Sequence, residues 1–161
     1  MSDLVTNPDD PRLGHGTDEM PVPQNAAYLV LSAEERARGF VRPVRGSYRH
    51  VGPPGPTNPL RELTADERER HAASNYVAFE QYPQPGPEFS SVVGRFWTQA
   101  QLDAVGRACG AVTHMSLQIA ETYARDPHFY GATYCAHCRM HRPVGREGEF
   151  VWEGTNARVG T

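Results

Sequence analysis

The sequence predicts an α+β fold: a small, irregular domain in which one long helix packs on a few short antiparallel strands, with a zinc knuckle near the C-terminus. Three observations lead to this prediction. Residues 135–141 form a Cys-x-x-Cys-x-x-His motif. The chain has 15 glycines and 14 prolines in 161 residues, above the average combined usage of about 12%, which favours turns and short elements. Residues 98–125 carry apolar side chains at helical spacing.

The long helix is predicted to begin after Thr98, because a glutamine three residues later completes a capping box. Apolar residues then recur at intervals of three, four or seven, which places them on one helix face. Asp126 should end the helix, since the residue before a proline leaves the α region. Gly106 and Gly110 either permit close packing against a neighbour or break the helix near Cys109, and both alternatives stay open.

The shorter elements are predicted from caps and from alternating patterns. Ser32 and Thr64 are each followed three residues later by a glutamate, which marks the start of a short helix. Aromatic and β-branched residues predict short strands at residues 76–79, 89–96 and 149–153.

Proline-rich stretches suggest how the chain is divided. Residues 51–59 include four prolines, which fix φ and remove backbone donors, so this stretch can be neither helix nor central strand. We expect residues 1–50 to be a loop-rich segment with one short helix and residues 51–60 to be a Pro/Gly-rich arm. Residues 61–161 should form the main α+β lobe with the knuckle. The alternative is one single domain over residues 1–161.

Charge and hydropathy limit the environment. The formal net charge of −3 gives the whole chain no attraction to nucleic acid or to an anionic membrane. No stretch approaches the roughly 18 consecutive apolar residues of a membrane span, and the N-terminus lacks the pattern of a secretory signal. We therefore expect a cytosolic protein without membrane contact. An odd number of cysteines, three, also argues against a disulfide framework.

The motif at residues 135–141 predicts a zinc site. Cys135 and Cys138 can place two thiolates on one ion, and His141 follows at the spacing of a third ligand. Cys109 is the remaining cysteine and would complete a Cys₃His set, which the length of chain between it and Cys135 allows. Alternatively, Cys109 packs on the apolar face of its helix and a histidine is the fourth ligand. The candidate histidines are His71, His114 and His128.

Other interpretations of these polar clusters stay open. The two knuckle cysteines could be ordinary buried residues or a redox pair. A thioredoxin-type pair would have to begin a helix, and Pro143 leaves little room for one. Residues 13–19, with glycines around His15 and two carboxylates behind it, favour a polar loop over a metal or acid–base site.

The sequence lacks the common catalytic motifs: His-x-Glu with Pro-Cys-x-x-Cys, His-Glu-x-x-His, Gly-x-Ser-x-Gly and the P-loop. We assign no catalytic residue and expect a structural zinc in a protein that is not an enzyme. Arg139, Arg142 and Arg146 surround the knuckle beside Tyr134, and such side chains bind phosphates and stack on bases. A nucleic-acid-associated zinc protein is therefore the alternative function, and a zinc hydrolase or nuclease is the third.

Parts of the chain resemble small uncharacterised zinc-knuckle proteins of tailed bacteriophages and prophages. The resemblance lies in residues 15–45, with HGTDEMPVP and FVRPVR, and in residues 120–131, AETYARDPHFYG, which run into the motif. It implies a zinc site at Cys135, Cys138 and His141, and a location in the virion or the host cytoplasm. We expect a phage-encoded structural or protein-interaction protein, whose partner is a virion or host protein. No activity follows from the resemblance.

Overall fold

The computed structural model describes residues 3–13, 27–88 and 92–161. The chain divides into two compact units. The larger unit combines two separate stretches, Met1–Pro53 and Ala108–Thr161, and the smaller unit is Pro54–Arg107. The N-terminal segment and the knuckle therefore belong to the same unit.

Ten short strands and four short α-helices are formed by the described residues. The strands, in chain order, are β1 (Asp3–Val5), β2 (Ala27–Leu29), β3 (Ser47–His50), β4 (Leu60–Arg61), β5 (Tyr76–Gln81), β6 (Gly94–Thr98), β7 (Val112–His114), β8 (Ala132–Cys135), β9 (Met140–Pro143) and β10 (Phe150–Trp152). The helices are α1 (Ala33–Ala37), α2 (Ala65–Arg70), α3 (Gln99–Ala104) and α4 (Leu117–Arg125).

The strands pair locally into small sheets. In the larger unit, β3 lies between β10 and β7 in an antiparallel sheet, β8 and β9 form an antiparallel pair, and β1 pairs in parallel with β2. In the smaller unit, β5 lies between β4 and β6 in an antiparallel sheet. Each sheet is too small to form a core alone, so side chains from several elements complete it.

The core of the larger unit is largely aromatic. Tyr48 of β3 meets the ring edge of Phe150 at a centroid distance of 5.2 Å and that of Trp152 at 6.4 Å. Its hydroxyl donates a 2.5 Å hydrogen bond to the carbonyl oxygen of Tyr134 in β8. The buried members of this cluster are Tyr48, Ile119, Tyr123, Tyr130, Cys135, Val144, Phe150, Trp152 and Val159. This core fixes β3, β8, β10 and α4 against one another.

The prediction of one long helix is wrong. The chain between Gln99 and Arg125 forms α3, then β7, then α4, which has nine residues. Gly106 has φ +67° and Gly110 has φ +73°, left-handed conformations that end a right-handed helix and that glycine adopts freely. The strand β7 pairs with β3, so the apolar residues at helical spacing are divided among α3, β7, α4 and the loop that contains Cys109.

The local signals for helix ends are confirmed. The Ser32 side chain accepts the N–H of Glu35 at the start of α1, and full capping boxes begin α2 at Thr64 and α3 at Thr98. The helix α4 ends at Asp126, as the following proline predicts.

Two of the three predicted strands are confirmed, and the third is confirmed in part. The strand β5 covers residues 76–79, and β10 lies within residues 149–153. The third predicted strand, residues 89–96, overlaps β6 from residue 94 onward. Its residues 92–93 are described and lie in no strand, and its residues 89–91 lie outside the described ranges. Residues 14–19 of the polar cluster around His15 also lie outside them.

Candidate metal centre

Four side chains of the larger unit converge on one point. They are His50, Cys109, Cys135 and Cys138, and their ligand atoms all lie within 4.8 Å of one another. His50 Nδ1 is 3.3 Å from Cys109 Sγ and 3.5 Å from Cys138 Sγ. The sulfurs of Cys109 and Cys135 are 3.5 Å apart. Three sulfurs and one imidazole nitrogen therefore surround a common centre.

The spacing of these atoms fits a tetrahedral metal site. Bond lengths of about 2.3 Å to sulfur and about 2.0 Å to nitrogen place tetrahedral ligand atoms roughly 3.5–3.8 Å apart. The sulfur separation of 3.5 Å is much longer than the bond of about 2.05 Å in a disulfide, and all three cysteines are free thiols. The cluster can hold a metal ion, and this donor set suits zinc.

Backbone pairing places Cys109 beside His50. The N–H of His50 donates to the carbonyl oxygen of Ala111 at 3.1 Å, and the N–H of Gly110 donates to the carbonyl oxygen of His50 at 2.9 Å. The N–H of Ala111 also donates to Cys109 Sγ at 3.4 Å. The positive φ of Gly110 thus turns the chain from the cysteine into β7 while both hydrogen bonds to His50 are kept.

The remaining two sulfurs come from a tight turn between β8 and β9. Cys135 ends β8, and its sulfur accepts the N–H of Cys138 at 3.5 Å. Its carbonyl oxygen accepts the N–H of Arg139 at 2.8 Å. The N–H of Ala136 donates to Thr113 Oγ1 at 3.0 Å, which ties the turn to β7. These bonds form a knuckle that directs both thiols inward.

A carboxylate orients the histidine from behind. His50 Nε2 lies 3.0 Å from Glu149 Oε1, and the imidazole lies against the ring of Phe150 at a centroid distance of 4.9 Å. When Nε2 donates its proton to the carboxylate, Nδ1 keeps a free lone pair toward the sulfurs. Such outer hydrogen bonds orient metal-binding histidines and raise their basicity.

The three thiols differ in environment. Cys135 is fully buried and Cys109 is exposed. Burial opposes ionisation of Cys135, but hydrogen bonds from the Cys138 N–H and from the neighbouring thiols outweigh it, so the pKa of Cys135 lies below its ordinary value. Burial, together with the hydrogen bonds to Cys109 and Cys135, raises the pKa of Cys138 to about 11. The group thus favours one thiolate, and a bound cation would ionise the others.

The structure brings together three of the four residues predicted as ligands. Cys109, Cys135 and Cys138 belong to the cluster, and His141 lies outside it. In β9, His141 is paired with Tyr134, and the two rings are 5.4 Å apart. Because successive residues of a strand point to opposite faces, Tyr134 and His141 lie on the face away from the Cys135 side chain. His50 takes the fourth position.

The other candidate histidines are engaged elsewhere or exposed. His71 belongs to the smaller unit and contacts the rings of Tyr76 and Phe96. His114 Nδ1 lies 2.7 Å from Ser47 Oγ, and His128 is exposed.

The sequence alone does not predict a role for His50 or Glu149 at the centre. His50 lies 59 residues before Cys109, so no motif spacing connects them. The alternation of polar and apolar residues over Ser47–His50, buried at every second position, is a signal that could have revealed β3. It would not have marked the histidine as a ligand.

The four residues proposed for nucleic-acid binding lie around the knuckle. Tyr134 is 39% exposed, and Arg139 and Arg146 are exposed. Arg142 is paired with the buried Thr133 across the hairpin, and its Nε is buried without a hydrogen-bond partner. Arg142 therefore lies on the other face of the hairpin from Tyr134.

Comparison of the chain with protein-family models, curated proteins and solved structures gives no match. The resemblance to phage zinc-knuckle proteins therefore stays a prediction. In the described parts of the chain, no helix is both long enough and apolar enough to cross a membrane.

Proposed function

We propose that this chain is a zinc-stabilised, non-enzymatic protein that acts through contacts of its surface. The observation that carries the proposal is the convergence of His50, Cys109, Cys135 and Cys138, whose ligand atoms all lie within 4.8 Å of one another. Structural zinc sites use four protein ligands, whereas catalytic sites leave one position for water or substrate. A Cys₃His set occupies all four positions.

The position of the ligands in the chain supports a structural role. They come from the end of β3, the loop before β7 and the knuckle between β8 and β9. One ion would connect three segments that are far apart in sequence, beside the core to which Cys135 belongs. Because the unfolded chain holds no such site, the free energy of zinc binding would add to the free energy of folding.

The nearby carboxylate also favours this role. A catalytic zinc needs a water on an open position and a general base beside it. Glu149 binds Nε2 of His50, the ring nitrogen that points away from the sulfurs. The carboxylate therefore lies behind a ligand, where it orients the imidazole and cannot reach a fourth coordination position.

The biological setting rests on the resemblance to phage proteins. That resemblance supports a location in the virion or the host cytoplasm, and a virion or host protein as the partner. A zinc-dependent hydrolase or nuclease is the competing function, and metal removal distinguishes the two.

The test is removal of the metal with a chelator, followed by thermal unfolding and by assays of ester and phosphodiester hydrolysis. We expect a lower melting temperature and a changed fluorescence from the buried Trp152, because the larger unit loses a link between its segments. An apo protein that keeps its melting temperature while a zinc-dependent hydrolysis disappears would overturn the structural role.

A further inference from the structure

Positive charge is concentrated around the knuckle although the whole chain is acidic. Residues 127–146 contain three arginines and no aspartate or glutamate. Many other arginines form ion pairs with carboxylates, but Arg139, Arg142 and Arg146 form none with any described residue. A zinc ion with three thiolates carries one net negative charge, and Glu149 against His50 adds another, so the local net charge does not by itself select a partner. The exposed guanidinium groups of Arg139 and Arg146 can each contact an anionic group such as a phosphate.

The outer face of the β8–β9 hairpin carries an aromatic pair. Thr133 and Cys135 are fully buried, whereas Tyr134 between them is 39% exposed, so its ring points outward. The ring of His141 lies beside it on the neighbouring strand, at a centroid distance of 5.4 Å. The exposed ring of Tyr134, with the half-buried ring of His141 beside it, forms an aromatic surface on a short β-ribbon, and such surfaces are suited to stacking on unpaired bases.

Arg139 has an unusual backbone conformation. Its φ of +57° is left-handed, a conformation that glycine adopts freely and other residues adopt at a cost in stability. The knuckle requires this turn, because the N–H of Arg139 binds the carbonyl oxygen of Cys135. An exposed arginine here loses stability relative to glycine, and strained positions of this kind are often found at functional sites.

We propose that the outer face of the β8–β9 hairpin binds single-stranded nucleic acid. Tyr134 and His141 stack on bases, and Arg139 in the knuckle and Arg146 in the turn after β9 contact phosphates. Duplex nucleic acid is disfavoured, because its bases are stacked on one another and do not reach these rings. The inference rests on the proposed function in one respect: zinc holds the turn that presents Arg139.

The experiment measures fluorescence anisotropy of labelled dT12, U12 and a 12-base-pair duplex with the zinc-loaded full chain, at about 50 mM salt and above. We expect both single strands to bind more tightly than the duplex, with affinity that falls as salt rises. The dT12 and U12 arms distinguish DNA from RNA as the preferred strand. Tyr134→Ala should weaken binding about tenfold, the loss of one stacked base.

The Arg139→Gly variant separates binding from stability. Glycine relieves the left-handed strain, so the melting temperature should stay the same or rise, while affinity falls several-fold and the salt slope decreases by about one. Two controls match it: Arg38→Ala removes an exposed, ion-paired arginine, and Asn75→Gly removes the other positive-φ side chain among the described residues, at φ +55°. Both should bind like the wild type.

Several results would contradict binding of single strands by the β8–β9 hairpin. The inference is wrong if neither single strand binds at about 50 mM salt, if the duplex binds as tightly, or if Tyr134→Ala and Arg139→Gly bind like the wild type. An equal loss of affinity in Arg38→Ala would show that the loss in Arg139→Gly reflects net charge alone, and this would also overturn the inference. Zinc content is measured on the same samples: missing binding with zinc present overturns this inference alone, and missing zinc overturns the proposed function.

Discussion

Replacement of His50 by alanine distinguishes the observed centre from the one that motif spacing predicts. His141 belongs to the Cys-x-x-Cys-x-x-His motif, yet His50 lies with the three sulfurs. Both histidines are on strands of the larger unit, so His141→Ala is a matched control. We expect His50→Ala to lose zinc affinity and His141→Ala to keep it.

The size of the effect follows from the number of ligands. Structural zinc binding contributes roughly 10–16 kcal/mol in small domains, so one of four ligands accounts for about 3 kcal/mol, or about a hundredfold in affinity. The side chain of His50 is also packed against Phe150, so its truncation leaves a small cavity that adds to the loss of stability.

The assay is competition for zinc against a chromophoric chelator, with thermal unfolding of the same samples. His50→Ala should release zinc at about a hundredfold lower chelator concentration than the wild type, and His141→Ala should match the wild type. The opposite order, with zinc lost from His141→Ala and retained by His50→Ala, would refute the geometry of the centre.

Three further outcomes follow from other contacts. Glu149→Gln should weaken zinc affinity by about 10–100-fold, because the carboxylate that orients His50 is replaced by a neutral acceptor; an unchanged affinity by chelator competition would exclude this role. Gly94→Ala should lower the melting temperature by several degrees in a thermal scan, since a Cβ would lie 2.1 Å from the carbonyl oxygen of Glu80; an unchanged melting temperature would contradict it. Burial opposes ionisation of Glu80, but hydrogen bonds from Trp97 and from the loop at Asn58 outweigh it and lower the pKa of this carboxyl group. The ionised Glu80 therefore stabilises the folded protein above about pH 4.3, and this stabilisation is lost as pH falls through the folded-state pKa. Glu80→Gln should destabilise the protein at pH 7 and flatten this acid dependence, and a melting curve that depends on pH like the wild type would contradict the assignment.

Features set by neighbouring residues could be predicted from the sequence. The caps at Thr64 and Thr98 depend on a side chain three residues away, and both boxes are present. The convergence of Cys135 and Cys138 depends on one tight turn. Each of these features depends on residues only a few positions apart, so the local sequence is enough to predict it.

Features set by long-range pairing could not be predicted in the same way. Apolar spacing across Gly106 and Gly110 is compatible with a helix, and only the pairing of β7 with β3 decides that the chain turns there. The same pairing brings Cys109 to His50, across 59 residues. The choice of His50 over His141 is therefore a property of the sheet, which the motif does not contain.

We infer that one zinc ion is held by three sulfurs and the Nδ1 of His50. X-ray absorption at the zinc edge of the purified protein, with metal content from native mass spectrometry, tests it most directly. We expect one zinc per chain with three sulfurs at about 2.3 Å and one nitrogen at about 2.0 Å, and loss of that nitrogen in His50→Ala. A protein without zinc, or a shell that keeps its imidazole in His50→Ala and loses it in His141→Ala, would contradict the claim.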